Sequence, residues 1–324
     1  MRKHVIQLVG FAVLLMVTFG VFKNPYIDQF ALELMESRPA FKADDALYHK
    51  ITEEAPKYEE APVDARIDRV WKALPGYNGL VVDMKKSYEA MRKTGKYDEK
   101  LLQFKEVPPA VKLKNLPPSP VYRGHAEKPM ISFIINVAWG NEYLPEMLKV
   151  LKKHNVHATF FFEGRWVKNN PELTTMIHEA GHEIGNHSYS HPNMANMTKA
   201  AALEELRKTN EVIEATLNVK PEWFGPPSGA YNQQTVEAAA ELGMRTVMWS
   251  VDTVDWKKPE PAVMVERVAA KLHPGAMILM HPTASTAAGL EGMIQAAKAK
   301  EYKIDVVSTL LSEQRVSVES NGDR

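Results

Sequence analysis

His187 and His191, in the stretch "NHSYSH", stand four residues apart, a spacing that lets two imidazoles converge on one cation if the segment is helical or coiled. His281 closes the apolar run "AMILMH", while Asp255 and Trp256 follow another, "RTVMWSVDTVDW". Imidazoles and carboxylates in such a set suit proton transfer or the binding of a divalent metal. The chain contains no cysteine, which excludes disulfides, zinc-thiolate sites and a thiol nucleophile. Any metal must therefore rest on His and carboxylate. Each residue alone reads as easily as a cap, a turn residue or a satisfied histidine; their shared position at the ends of apolar runs sets them apart.

Those runs alternate with helical stretches from Met130 onward. "ISFIINV", "ATFFFE", "HEIGN", "EWFG", "RTVMWSV", "AMILMH" and "KIDVV" are strand candidates. Residues 142–154, 172–180, 199–217, 234–242, 261–272 and 286–300 carry helical patterns between or after them. Strand followed by helix, repeated, predicts a parallel sheet, and closure into a barrel gathers the strand-end loops at one mouth. The strand ends hold Asn136 and Val137, Glu163, His187 and His191, Pro226 to Gly229, Asp252 to Trp256, and His281. The flat apolar faces of Trp256 and Trp139, at loop positions, suit lining a groove, whereas Trp249 inside a strand run is expected in the core. His154, His157, His178 and His182 read as structural or exposed, and His273, before Pro274, as a turn residue.

Upstream, Arg2 and Lys3 precede an apolar stretch from Val5 to Phe22. This predicts a signal anchor or a cleaved signal peptide over residues 1–22, and either places the body of the protein outside the cytoplasm. Residues 23–62 read as a polar stalk, and 63–112 as a small α+β domain with a strand at Leu80 to Val82 and a helix over Met84 to Met91. Residues 113–127, rich in proline, read as a linker, 128–312 as the main domain and 313–324 as a tail. Basic and acidic residues number 40 each and form no long blocks, which argues against nucleic acid as a partner.

The ordered segments "HNVHATFFFEGRWVKNNPEL", "EAGHEIGNHSYSHPNM", "VDTVDW" and "PGAMILMH" resemble the polysaccharide deacetylases of carbohydrate esterase family 4, which share the NodB homology domain. The match covers nearly everything from Met130 to Leu311. It implies an α/β fold with a distorted (β/α) barrel. It also implies a cell-wall or sporulation-type envelope protein that removes acetyl groups from N-acetylated sugars of peptidoglycan or chitin-like glycans, with zinc or another divalent metal. By resemblance His187 and His191 are metal ligands and His281 is the general acid, oriented by Asp255. Ser228 contributes a backbone N–H to the oxyanion, and Trp256, Trp139, Pro227, Ser228 and Gly229 line the sugar site.

Two departures qualify that inheritance. The family's first motif ends in two aspartates, a general base and a third metal ligand, and their places fall on Asn136 and Val137. An amide is too weakly basic to take a proton from a metal-bound water, and general base catalysis contributes roughly 10²- to 10⁴-fold. Val137 has no lone pair to offer a metal. The arginine expected before the paired prolines is Gly225. The sequence therefore predicts a deacetylase relative whose activity is weak or lost and whose metal is weakly held unless Glu163, Asp252 or Glu142 supplies a carboxylate. The alternative is a non-catalytic glycan-binding or scaffold protein on the same fold.

Overall fold

β-Branched residues dominate Met130–Val137 (β1), and all eight of its residues are buried, as expected for a strand covered on both faces. In this computed structural model, which describes residues 46–316, β1 lies inside an eight-stranded sheet. The others are Thr159–Phe162 (β2), Glu183–Asn186 (β3), Trp223–Phe224 (β4), Arg245–Thr246 (β5), Val251–Asp252 (β6), Met277–Met280 (β7) and Lys303–Ile304 (β8). They run β6-β7-β1-β2-β3-β4-β5, with β8 pairing the start of β1, and every pairing is parallel. The sheet is thus a curled half-barrel with its strand-end loops on one side, an α/β fold of the kind expected. "RTVMWSV" is not one strand, because β5 ends at Thr246 and β6 begins at Val251. "KIDVV" is cut short as well: its strand stops at Ile304 and a helix, Val307–Leu311, follows.

Strand alternation sorts the two faces of β1. Ile131, Phe133, Ile135 and Val137 join the larger core, which includes the helix residues Leu144, Met147, Leu151, Leu290 and Ile294. Met130 and Ile134 join a second core with Phe161, Trp223, Met277 and Leu279. The helices Leu144–Lys153, Pro171–Glu179, Lys199–Leu217, Gln233–Glu241, Pro261–Lys271 and Ala284–Ala299 agree with the sequence patterns to within a few residues at either end. A further helix, Gly164–Asn169, follows β2 and has no counterpart among those patterns.

The domain boundaries differ from the sequence reading. Among the described residues, 46–58 with 82–105 form one compact unit, and 59–81 with 106–316 form another. The stretch read as stalk therefore contains a helix, Ala46–Glu54, whose Leu47 and Ile51 are buried in a small core with Val82, Met91 and Leu102. The helix expected in the small α+β domain, Met84–Met91, is present and is capped by the Asp83 side chain accepting from Lys86 N. In the larger unit the presumed linker is packed rather than free. Val121 is fully buried, donates its N–H to Thr246 O and accepts from Met248 N, extending the sheet beside β5. Proline removes donors from this segment, but Val121 and Gly124, whose N–H groups donate to Thr246 O and Gly275 O, are not proline. The start of the presumed tail is also fixed, since Arg315 donates to Asn78 O and Glu60 and lies over the Tyr77 ring. The apolar stretch of residues 1–22 lies outside the described residues; within them, no helix is long and apolar enough to cross a membrane.

Candidate functional site

His187 and His191 do not share a helix. They sit in the loop after β3, where Ser188 (φ 64°) and His191 (φ 55°) adopt the left-handed conformation and fold the segment so that the two rings meet edge to face, 5.1 Å between centroids. Such backbone is costly for residues other than glycine and persists only where the surroundings fix it. Here Asn186 Oδ1 accepts from Ser188 N, and Glu205 on the helix Lys199–Leu217 accepts from Tyr189 N, Ser190 N and Ser190 Oγ. The Nδ1–H of His187 donates to Gly225 O at 2.6 Å, which leaves its Nε2 as the free donor atom. Burial pushes the His187 pKa down to about 3, and burial, with the nearby His281, lowers that of His191. Both rings are therefore neutral, the form that binds metals.

His281 follows β7. Its Nδ1 lies 2.9 Å from Asp255 Oδ1 and its backbone N donates to Asp255 Oδ2, which also accepts from Thr286 Oγ1 at 2.7 Å. Asp255 is completely buried, and these donors make its carboxylate tolerable there. Trp139 lies parallel to the His281 ring, 5.9 Å away with 7° between planes. The approach depends on Gly140 (φ 85°), where a Cβ would come within 2.1 Å of Pro282 O.

These arms meet in a cleft of about 460 Å³ lined by Asn136, Ala138, Trp139, His187, His191, Ser228, Trp249, Asp252, Trp256, Leu279 and His281. It gathers most of the residues singled out in the sequence. Pro227 and Gly229 do not line it: Pro227 is buried, and Gly229 (φ 68°) makes room for the Trp249 ring, which would stand 2.7 Å from an added Cβ. Trp249, expected in the core, packs partly against it and also forms a cleft wall. Glu205 and Thr286 were not foreseen. The signal for Glu205 was its place on the buried face of its helix, three residues after Ala202 and four before Thr209.

Asn136 is on the cleft side of β1 and Val137, completely buried, is on the helix side. None of the substitute carboxylates joins the histidines. Glu163 caps the helix after β2 through Trp166 N, Glu142 is exposed away from the cleft lining, and Asp252 lines the cleft but accepts from Val254 N at 2.7 Å. Among the described residues, no group of three or more His, Asp or Glu side chains is placed to hold one metal ion. A catalytic zinc normally takes three protein ligands. The two imidazoles fit that requirement and the rest of the donor set does not. At Gly225 an added Cβ would lie 3.0 Å from the Phe161 ring, so the inner core closes over the position where the family carries arginine.

A family model described as polysaccharide deacetylase matches residues 123–247. The peptidoglycan-N-acetylmuramic acid deacetylase PdaA of Bacillus subtilis is 32% identical over 204 residues, 61% of this chain and 78% of that protein. The chain belongs to the polysaccharide deacetylase family. Within that family it is similar over nearly its full length to the uncharacterized protein YlxY of Bacillus subtilis, at 48% identity over 98% of this chain and 99% of the relative. A solved structure of BA3943 from Bacillus anthracis, described as a carbohydrate esterase family 4 pseudoenzyme, superposes with a TM-score of 0.79 at 53% identity, covering 84% of this chain and 97% of that one. A mutant of BA3943, described as having restored enzymatic activity, superposes equally well at 52% identity over 83% and 99%.

Proposed function

We propose that this polysaccharide deacetylase relative binds N-acetylated cell-wall glycan in the cleft at the strand ends and turns it over weakly or not at all. The observation that carries the reading is the end of β1. The cleft-facing position holds the amide of Asn136, and its neighbour Val137 is apolar and buried, so among the described residues the two histidines lack both a base and a third ligand. The proton-donor arm of His281 and Asp255 and the exposed rings of Trp139 and Trp256 persist, and they suit a sugar whose faces stack and whose hydroxyls need polar partners. Similarity to a pseudoenzyme that a mutation has made active supports loss of turnover rather than of fold.

The same reading takes residues 1–22 as the membrane anchor or secretory signal of an extracytoplasmic envelope protein. In this setting His187 and His191 are residual ligands for zinc or another divalent metal, weakly held. Ser228 supplies a backbone N–H beside the N-acetyl group.

The test uses the full chain with N-acetylglucosamine oligomers and with purified peptidoglycan glycan. Metal content, acetate release and glycan binding are measured on one preparation. Substoichiometric zinc, no acetate above background and saturable glycan binding are expected. Stoichiometric zinc with turnover would overturn the reading in favour of an active deacetylase. Inert protein that binds no glycan would leave the scaffold alternative.

A further inference from the structure

The strands Arg66–Asp68 and Lys72–Leu74 pair antiparallel, and the hairpin they form leaves apolar side chains in solvent. Val70 is 71% exposed, the highest figure for a large apolar side chain among the described residues, and Ile67, three positions earlier, is 48% exposed. Arg66, Arg69 and Lys72 interleave with them and are exposed as well. Single exposed apolar residues are ordinary on a protein surface. Two in one hairpin, each beside a cation, form a patch. The turn is also fixed in place. Asp68 Oδ1 accepts from Val70 N and Trp71 N. Trp71 is half-buried with the Arg123 guanidinium 5.5 Å from its ring centroid, and Arg123 in turn donates to Pro274 O.

The charge of the hairpin is uncommitted. Among the described residues, none of Arg66, Arg69 and Lys72 forms an ion pair with a carboxylate. The neighbouring acids serve the backbone: Asp64 accepts from Val111 N, and Asp68 from the two N–H groups of the turn. Asp68 offsets one of the three cations. Cations alone would keep so short a sheet from pairing with another chain, but that role does not call for Ile67 and Val70 between them. Basic and apolar side chains interleaved suit the boundary of a lipid bilayer. There the ammonium and guanidinium groups meet phosphates while the apolar groups sink below them.

Resting on the reading of residues 1–22 as a membrane anchor, we propose that the 66–72 hairpin docks on the anionic headgroup surface of the membrane that holds the chain. Residues 23–45 span at most about 80 Å even when fully extended. The anchored body therefore meets that surface at high effective concentration, and a patch too weak to bind lipid unaided suffices. Each basic side chain near an anionic bilayer raises partitioning about 5-fold, and the attraction fades beyond a Debye length of about 8 Å at physiological salt. Docking holds the larger unit against the lipid rather than at the end of its tether.

The chain has no cysteine, so Val70→Cys gives a single labelling site. The full chain with a polarity-sensitive fluorophore there is reconstituted in phosphatidylcholine vesicles and in vesicles of equal parts phosphatidylcholine and phosphatidylglycerol. Flotation with the neutral vesicles in high salt reads the anchor, and emission with quenching by brominated lipid reads docking. Flotation with both is expected, with a blue shift and quenching in the anionic vesicles that high salt abolishes. Arg66→Gln, Arg69→Gln and Lys72→Gln together should lower the ratio of docked to free hairpin about 100-fold. The same label at Val263→Cys, an exposed valine on the helix Pro261–Lys271, should not respond. A Val70 probe that stays silent, responds equally in both lipids, matches the Val263 probe or ignores the triple substitution overturns docking and leaves the anchor in place. Failure to float with neutral vesicles overturns the anchor reading and, with it, docking at the anchor's membrane.

Discussion

Returning both acids to the end of β1, as Asn136→Asp with Val137→Asp, separates fold from chemistry. Val137 is fully buried on the helix side of the strand. Removing its side chain from that core forfeits roughly 1.5–3 kcal/mol of apolar burial. The carboxylate that replaces it lacks a partner in the apo protein, so the total cost should reach about 3–5 kcal/mol. Asn136→Asp, on the cleft side, should cost far less. If the new carboxylate at position 136, which is on the cleft side with His187 and His191, completes a three-ligand set with them, zinc at about 100 times its dissociation constant returns about 2.7 kcal/mol. For a unit of this size each kcal/mol moves the melting temperature by roughly 2–4 °C, which gives a zinc-dependent rise of about 5–11 °C. Calorimetric melting with and without zinc, followed by acetate release from an N-acetylglucosamine oligomer, checks both halves. The double variant should show the rise and measurable turnover, and the wild type neither. A rise of equal size in the wild type, or none in the variant together with no acetate, would refute the reasoning. Adding Gly225→Arg requires the Phe161 ring to give way and should cost about 1–3 kcal/mol.

Two further outcomes follow from the packing around the site. Glu205→Gln leaves the Tyr189 and Ser190 donors with a weaker partner, and should destabilise the protein by about 1–3 kcal/mol in urea unfolding while loosening glycan binding through the histidine loop. His182 is buried, accepts from Ala158 N through Nδ1 and has its pKa pushed down by burial to about 4, so it must stay neutral to keep that bond. Because the folded pKa lies below the unfolded value of about 6.5, this contribution is present above pH 6.5 and is lost as pH falls towards 4. His182→Asn, which retains an acceptor and does not titrate, should flatten that part of the stability–pH curve; an unchanged slope would place the acid sensitivity elsewhere.

The order of strands and helices in the larger unit was legible because period-2 and period-3.6 patterns are local, and parallel pairing follows from their alternation. The break between Thr246 and Val251 was not, since both halves are apolar and only the curl of the sheet parts them. The packing of 113–127 was hidden for a related reason. Proline density reports missing donors, while the pairing of Val121 with Thr246 and Met248 depends on an edge strand more than 120 residues away. Likewise, helicity at Ala46–Glu54 draws on a small core completed by Val82, Met91 and Leu102.

The types of the site residues were set by the sequence alone: two imidazoles in one short stretch, an acid and a histidine at later strand ends, and an amide and a valine where carboxylates would stand. Tertiary structure decided how they are used. Left-handed turns, rather than a helix, bring His187 to His191, because Glu205 and Asn186 reach the loop from other elements. The pleat of β1 sends Asn136 to the cleft and Val137 to the core, since adjacent residues of a strand face opposite sides. Whether Glu163, Glu142 or Asp252 could stand in was decided by distance and prior hydrogen bonds, which no spacing along the chain records.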